Sequence, residues 1–199
     1  LKVGSDIGRC MCGNFTNNFP GCIGFAYGDP VSTVANKASA ELSAPGVAYN
    51  FNIYWDGDLL SETFNYVAGK NTEGGIYKYG QSGPIYTCAG SLTNNYTKGT
   101  PCYQGDILGD WREEIIMRTA DNNIRIYSTP TPTEHRNYNL WFDHQYRNAM
   151  VWQMCGYNQP PHVSYFMGEL EGITIAPPPL TTTGRKEVAD GGTIGSSLD

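Results

Sequence analysis

The sequence predicts an all-β fold assembled from small repeated sheets, and three observations point there. The composition is rich in turn formers and aromatics, with 24 Gly, 12 Pro and 14 Tyr in 199 residues. So many glycines and prolines punctuate the chain too often for long helices, while aromatic residues suit a half-buried pleated surface. Short apolar or alternating runs recur between turn residues, and helical periodicity is hard to find. Polar-glycine turns followed by an apolar strand also return at steps of about 40–50 residues, the period expected of four-stranded propeller blades.

The elements follow in order. Ile23–Tyr27 reads as a strand after the turn "GNFTNNFPG". Ala35–Leu42 is the one plausible short helix, and Pro45-Gly46 stops it. Strands are then expected at Phe51–Trp55, Ile85–Cys88, Glu114–Arg118 and Ile124–Tyr127. "TADNNIR" between the last two reads as a hairpin turn, because Asp and Asn tolerate positive φ. Tyr138–Phe142, Met150–Cys155 and Val163–Met167 read as further strands. The repeat begins near Asn14, near Asp106, less clearly at Asp56, and a fourth apolar run starts at Met150. Three or four blades would fit this length, which makes the chain part of a larger ring. Residues 1–176 are expected to form this partial propeller. Residues 177–199, Pro/Thr-rich and then Gly/Ser-rich, read as a linker or disordered tail.

Charged residues make up 16% of the chain and the formal net charge is −6, which argues against a nucleic-acid-binding face. No run of about 18 apolar residues suggests a membrane span. The composition fits an extracellular protein, and the opening "LKVGSDIGRCMCGNF" begins inside what reads as a motif, as a trimmed or partial chain would. The six cysteines are Cys10, Cys12, Cys22, Cys88, Cys102 and Cys155. Their spacing matches no usual zinc knuckle, and their pairing is left open. Asn14 and Asn95 head glycosylation sequons of a kind common by chance.

Four constellations could carry chemistry. Asp106, Asp110 and Glu114, with Glu113 beside them, crowd into "GDILGDWREE". Such a cluster suits a hard cation that takes several oxygen ligands; it equally suits a solvated turn in which Arg112 and Arg118 pair with the acids. Lys98 sits in the polar loop "NNYTKGTP", where the bland reading is solvation; Arg9 has the same bland reading, paired with Asp6. Tyr157, Asn158, Gln159 and His162 surround a Pro-Pro step. Neighbouring aromatic and amide groups suit sugar rings; a buried strand ending in a rigid turn, with His162 in the core, is the other reading. Glu134-His135-Arg136 and Asp143-His144 read as polar links between blades.

The run "GDWREE…TEHR…DHQYR…WQ…YNQPPH", with "SDIGR" and "YWDGDL" earlier in the same order, resembles the C-terminal part of the rhamnogalacturonan endolyases of polysaccharide lyase family eleven. The match runs over roughly residues 3–170. The resemblance implies the C-terminal half of an eight-bladed propeller that binds Ca²⁺, with Asp106, Asp110 and Glu114 as candidate ligands. It implies β-elimination in the pectic backbone of rhamnose and galacturonic acid. The cleft residues implied are Arg9, Asn95, Thr97, Lys98, Tyr157 and Asn158. Lys98 is then the base, Arg9 or Ca²⁺ neutralises the substrate carboxylate, Tyr157 positions the sugar or passes a proton to the leaving oxygen, and the others hold sugar. Met154 stands where relatives often have Asn, and Asn14 where relatives carry Asp. A half-ring leaves strand edges bare, so pairing with a second copy would complete it. A sugar-binding module without catalysis and a structural repeat domain are the alternative functions.

Overall fold

The computed structural model describes residues 10–18, 21–26, 29–33, 51–155 and 158–168. The expected helix at Ala35–Leu42 and the tail at 177–199 lie outside them. Three antiparallel sheets form. In the first, β1 (Cys10–Gly13), β2 (Ile23–Ala26) and β3 (Asp29–Thr33) pair in sequence order. The second is the meander β4 (Phe51–Ile53), β5 (Glu62–Tyr66), β6 (Gly74–Tyr77) and β7 (Tyr86–Cys88). In the third, β10 (Glu114–Thr119) pairs β11 (Ile124–Tyr127) on one side. On its other side lie β8 (Ser91–Leu92) and β9 (Tyr103–Gly105).

The sheet-rich character expected from the sequence is present, but the half-propeller is not. The described sheets do not close into a ring, and only β4–β7 is a sequential four-stranded meander. The expected fourth unit fails for a local reason. Tyr138–Phe142 contains a 3-10 turn at Leu140–Phe142, and Met150–Cys155 begins inside helix α1 (His144–Trp152). Val163–Met167 forms no strand. A repeating turn-and-strand signature fixes local pairing and leaves the arrangement of the sheets unspecified. Without a half-ring, a second copy completing it has no basis.

The second and third sheets share the main core. Phe51 and Ile53 of β4, Phe64 of β5, Ile76 of β6 and Cys88 of β7 pack with Ile115 and Met117 of β10, all inaccessible to solvent. Each such large side chain contributes about 1.5–3 kcal/mol on burial. The β10–β11 hairpin forms as the sequence predicts. Asn122 takes φ 63°, Thr119 N–H donates to the Asn123 carbonyl at 3.0 Å, and Arg118 faces Ile124.

Helix α1 docks on the end of β9. Asp143 caps its start by accepting from Gln145 N–H (3.3 Å), and also accepts from Ser164 N–H (2.6 Å) and hydroxyl (2.7 Å). Tyr146, Ala149 and Met150 make one buried stripe at helical spacing. Tyr146 and Met150 join Tyr54, Trp111, Leu140 and Met167 in a second cluster. Gly105 permits this docking, since a Cβ there would overlap the Met150 thioether. Gly105→Ala is therefore expected to cost about 1–3 kcal/mol in urea unfolding. Gly105→Ala/Met150→Ala should fall short of the sum of the single losses, because the two sites share one contact.

Candidate functional site

The acidic turn is an internal scaffold. Asp106, Glu113 and Glu114 are almost wholly buried, so only Asp110 behaves as a surface acid. Asp110 pairs with Arg112, as the solvated-turn reading expects. Arg118 turns away, donating to Asn94 Oδ1 (2.7 Å) and the Thr93 carbonyl (3.0 Å). Asp106 Oδ2 accepts from Leu140 N–H at 2.8 Å. Glu114 Oε2 accepts from Ile107 N–H (2.9 Å) and Leu108 N–H (3.0 Å), which ties off the loop that β10 leaves behind.

Glu113, only a neighbour of the candidate ligands in the sequence reading, is the centre of this scaffold. Its Oε2 accepts from Tyr54 N–H (3.0 Å) and Gln104 Nε2 (3.1 Å), and its Oε1 accepts from the Tyr146 hydroxyl (2.7 Å). The same hydroxyl accepts from Asp106 N–H at 2.9 Å. Burial pushes the Glu113 carboxyl up to about 8, ahead of the lowering by its donors Tyr146, Tyr54 and Gln104.

A second acidic loop lies at "WDGDLLSE". Ligand-type oxygens of Asp56, Asp58 and Glu62 come within 4.8 Å of one another. Local turns shape it: Asp58 Oδ1 accepts from Leu60 N–H (3.0 Å), and Glu62 Oε2 from Trp55 N–H (2.9 Å) and Asp56 N–H (3.3 Å). Lys78 of the segment after β6 enters the cluster, with its Nζ 2.6 Å from Asp58 and 3.2 Å from Glu62 and also paired with Asp56. Burial, then the Asp56 charge, pushes Glu62 up to about 8. Burial pulls the Lys78 ammonium down, but Glu62, Asp56 and Asp58 outweigh it and hold it above the ordinary lysine range. Three acidic side chains around one ammonium make an all-oxygen donor set in which acids outnumber the base, and this fits a hard metal ion. Sequence reading missed this cluster, although alternation of acids in Asp56-x-Asp58 was the available signal.

The cleft residues divide. Arg9 and Tyr157 lie outside the described residues. Asn95, Thr97 and half-buried Lys98 occupy one 3-10 turn, Tyr96–Lys98, whose neck is closed by the Asn94–Thr100 bridge. Gly99 follows at φ 57°, and a Cβ there would strike Asn65 and the Tyr66 backbone on β5, so the turn is seated against the second sheet. Asn158 is buried and donates to the Pro101 carbonyl at 2.9 Å, three residues beyond Lys98. The fold thus brings "NNYTK" and the Asn of "YNQPP" to one locality across about 60 residues of sequence. Met154 is exposed on the chain leading there, and His162 is exposed instead of being a core histidine. Asn14 is buried, its Nδ2 on the Leu59 carbonyl (3.3 Å) and its own carbonyl on Ser61 N–H (2.6 Å), so that sequon is closed to modification in the folded chain. No helix among the described residues is long and apolar enough to cross a membrane.

The motifs, taken in this order, place the chain in a family of polysaccharide lyases. The chain belongs to rhamnogalacturonan lyase family 11, whose C-terminal domain matches residues 1–179. It is 41% identical to the rhamnogalacturonan endolyase YesW of Bacillus subtilis over 180 residues, 90% of this chain and 28% of that protein. It is 37% identical to the rhamnogalacturonan exolyase YesX of the same organism, covering 84% of this chain and 29% of the relative. The solved rhamnogalacturonan lyase of Bacillus licheniformis superposes with a TM-score of 0.73 at 37% identity, over 87% of this chain and 29% of that one. The crystal structure of YesW gives 0.71 at 39% identity, over 88% and 29%. The chain therefore spans less than a third of the length of these relatives.

Two measurements check the acidic scaffolds. The folded chain holds the Glu113 proton more tightly than the unfolded chain, whose carboxyl keeps its ordinary value of 4.5. The resulting stability is complete below that value and is lost as pH rises to about 8. Thermal melts across this window should show a falling Tm, and Glu113→Gln should flatten the fall. Lys78→Met should lower unfolding free energy by about 1–3 kcal/mol, less than a fully enclosed pair would lose because Asp58 is exposed. A divalent cation should restore part of that loss.

Proposed function

We propose that this chain is the C-terminal part of a lyase that cleaves the rhamnogalacturonan backbone of pectin by β-elimination at galacturonic acid. One observation supports the reading: the Asn158–Pro101 bond brings the "YNQPP" segment beside the Lys98 turn. In the proposed reaction Lys98 is the base that takes the C5 proton of a galacturonate. The electron pair left on C5 forms a double bond to C4, the C4–O bond breaks, and the leaving oxygen takes a proton from the Tyr157 hydroxyl or from water. The anion that develops on the uronate carboxylate needs fixed positive charge, which is the role given to Arg9. Asn95, Thr97, Tyr157 and Asn158 orient the sugar.

Asp56, Asp58 and Glu62 are the residues proposed to hold Ca²⁺, in place of Asp106 and Glu114, whose side chains serve backbone amides instead. A bound Ca²⁺ would supply charge that fixes the loop between β4 and β5. Because the chain covers so little of its relatives' length, a sugar-binding role without turnover is the second reading. The expected place of action is outside the cell, on pectic polysaccharide.

Lys98→Ala in the full-length protein should lower turnover of rhamnogalacturonan about 10²–10⁴-fold, the usual worth of a general base. Lys98→Arg should not recover it, since a guanidinium does not give up its proton. The ultraviolet absorbance of the unsaturated uronate product reports both. Unchanged turnover in Lys98→Ala would remove the base assignment, and pectin binding without product would favour the sugar-binding module. Chelation should lower Tm in the parent chain and have no effect in Asp58→Asn.

A further inference from the structure

β1 and β2 set two cysteines side by side on the outer face of the first sheet. Cys12 of β1 faces Gly24 of β2, and Met11 and Phe25, the next pair along, point inward to the core. Cys22 stands two residues before Gly24, so it falls on the same face as Cys12, as its diagonal neighbour. The two side chains meet: the Cys22 thiol donates to Cys12 sulfur. Cys12 is exposed and Cys22 partly so, which leaves the pair open to reagents. Of the remaining thiols, Cys10 is exposed on the same face of β1, opposite Ala26 and one step further from Cys22; the other three are placed differently. Cys88 is enclosed in the core, Cys102 sulfur accepts from Asn94 Nδ2 (3.2 Å), and Cys155 lies beyond the end of α1.

We propose that Cys12 and Cys22 are a redox modification site, a dithiol that a small-molecule disulfide such as oxidised glutathione converts to an intrachain disulfide. Cys12, the more exposed of the two, is the attacking group, and the hydrogen bond from Cys22 draws its thiol down to about 7. Its thiolate attacks one glutathione sulfur, forming a mixed disulfide and releasing one glutathione thiol. Cys22 sulfur then attacks Cys12 sulfur and releases the second. Two protein thiols are oxidised, one glutathione disulfide is reduced, and the two protons end on the released thiols. The bond would cross-link the start of the second strand to the first and close the loop that carries Phe15 and Asn14. That loop docks on the acidic metal loop through the Asn14 carbonyl and Ser61 N–H. Oxidation therefore stiffens the support of the Asp56–Glu62 segment.

The full chain is incubated with oxidised glutathione, free thiols are alkylated, and the protein is peptide-mapped by mass spectrometry. A Cys12–Cys22 crosslink with no retained glutathione is expected, together with a rise in Tm of roughly 3–8 °C that a reductant reverses. Cys22→Ser should instead retain glutathione on Cys12 and show no such rise, and Cys10→Ser should leave the crosslink intact. Stable glutathione on Cys12 in the parent chain, or a crosslink from Cys10, would overturn the assignment.

Discussion

The Glu113 carboxyl group is the point at which the end of β4, strand β9 and helix α1 meet through directional bonds. It accepts from the backbone beyond β4, from Gln104 on β9 and from Tyr146 on α1, while its own N–H donates to the Tyr54 carbonyl at 2.8 Å. Gln104 extends the network, donating to the Asn52 carbonyl at 2.7 Å and exchanging two backbone–side-chain bonds with Gln153 at 2.8 and 2.7 Å. Directional bonds of this kind fix orientation where packing fixes only proximity. An enclosed carboxyl that lost them would keep its full desolvation cost.

That network explains why the acidic turn was misleading as a metal site. Carboxylates close in sequence suggest shared coordination, yet Asp106, Glu113 and Glu114 point to separate sets of donors. The cluster that does converge is Asp56, Asp58 and Glu62, and it converges on a lysine. The two acidic loops divide the labour. One holds α1 and the third sheet to the second sheet; the other shapes the turn between β4 and β5.

The strands found by sequence were those whose local pattern decides them. β10 carries an apolar run, and the β10–β11 turn has residues that accept positive φ. β5 escaped because its buried residues include Glu62, Thr63 and Asn65, and β6 because it opens with two glycines. Polar residues look like surface until their partners are known. Helix α1 escaped because its buried stripe is only Tyr146, Ala149 and Met150, and its cap, Asp143, reads with His144 as a polar link between blades. Of the residues expected to line a cleft, Lys98, Asn95, Thr97 and Asn158 were legible through the order of the motifs, while their separation in space was not.

The sequence by itself determined a sheet-rich chain, its hairpin, and the lyase family to which its motifs belong. Those properties rest on side-chain alternation, turn chemistry and residue order, all readable over a few neighbours. The tertiary structure alone decided that the sheets stay separate, that the most conspicuous acids are internal scaffold, and that Asn158 meets the Lys98 turn. Each of those depends on partners far apart in the chain, 59 residues for Tyr54 and Glu113, 33 for Glu113 and Tyr146, and 57 for Pro101 and Asn158. At such separations, pairing is set by how whole elements pack, and no local pattern records it.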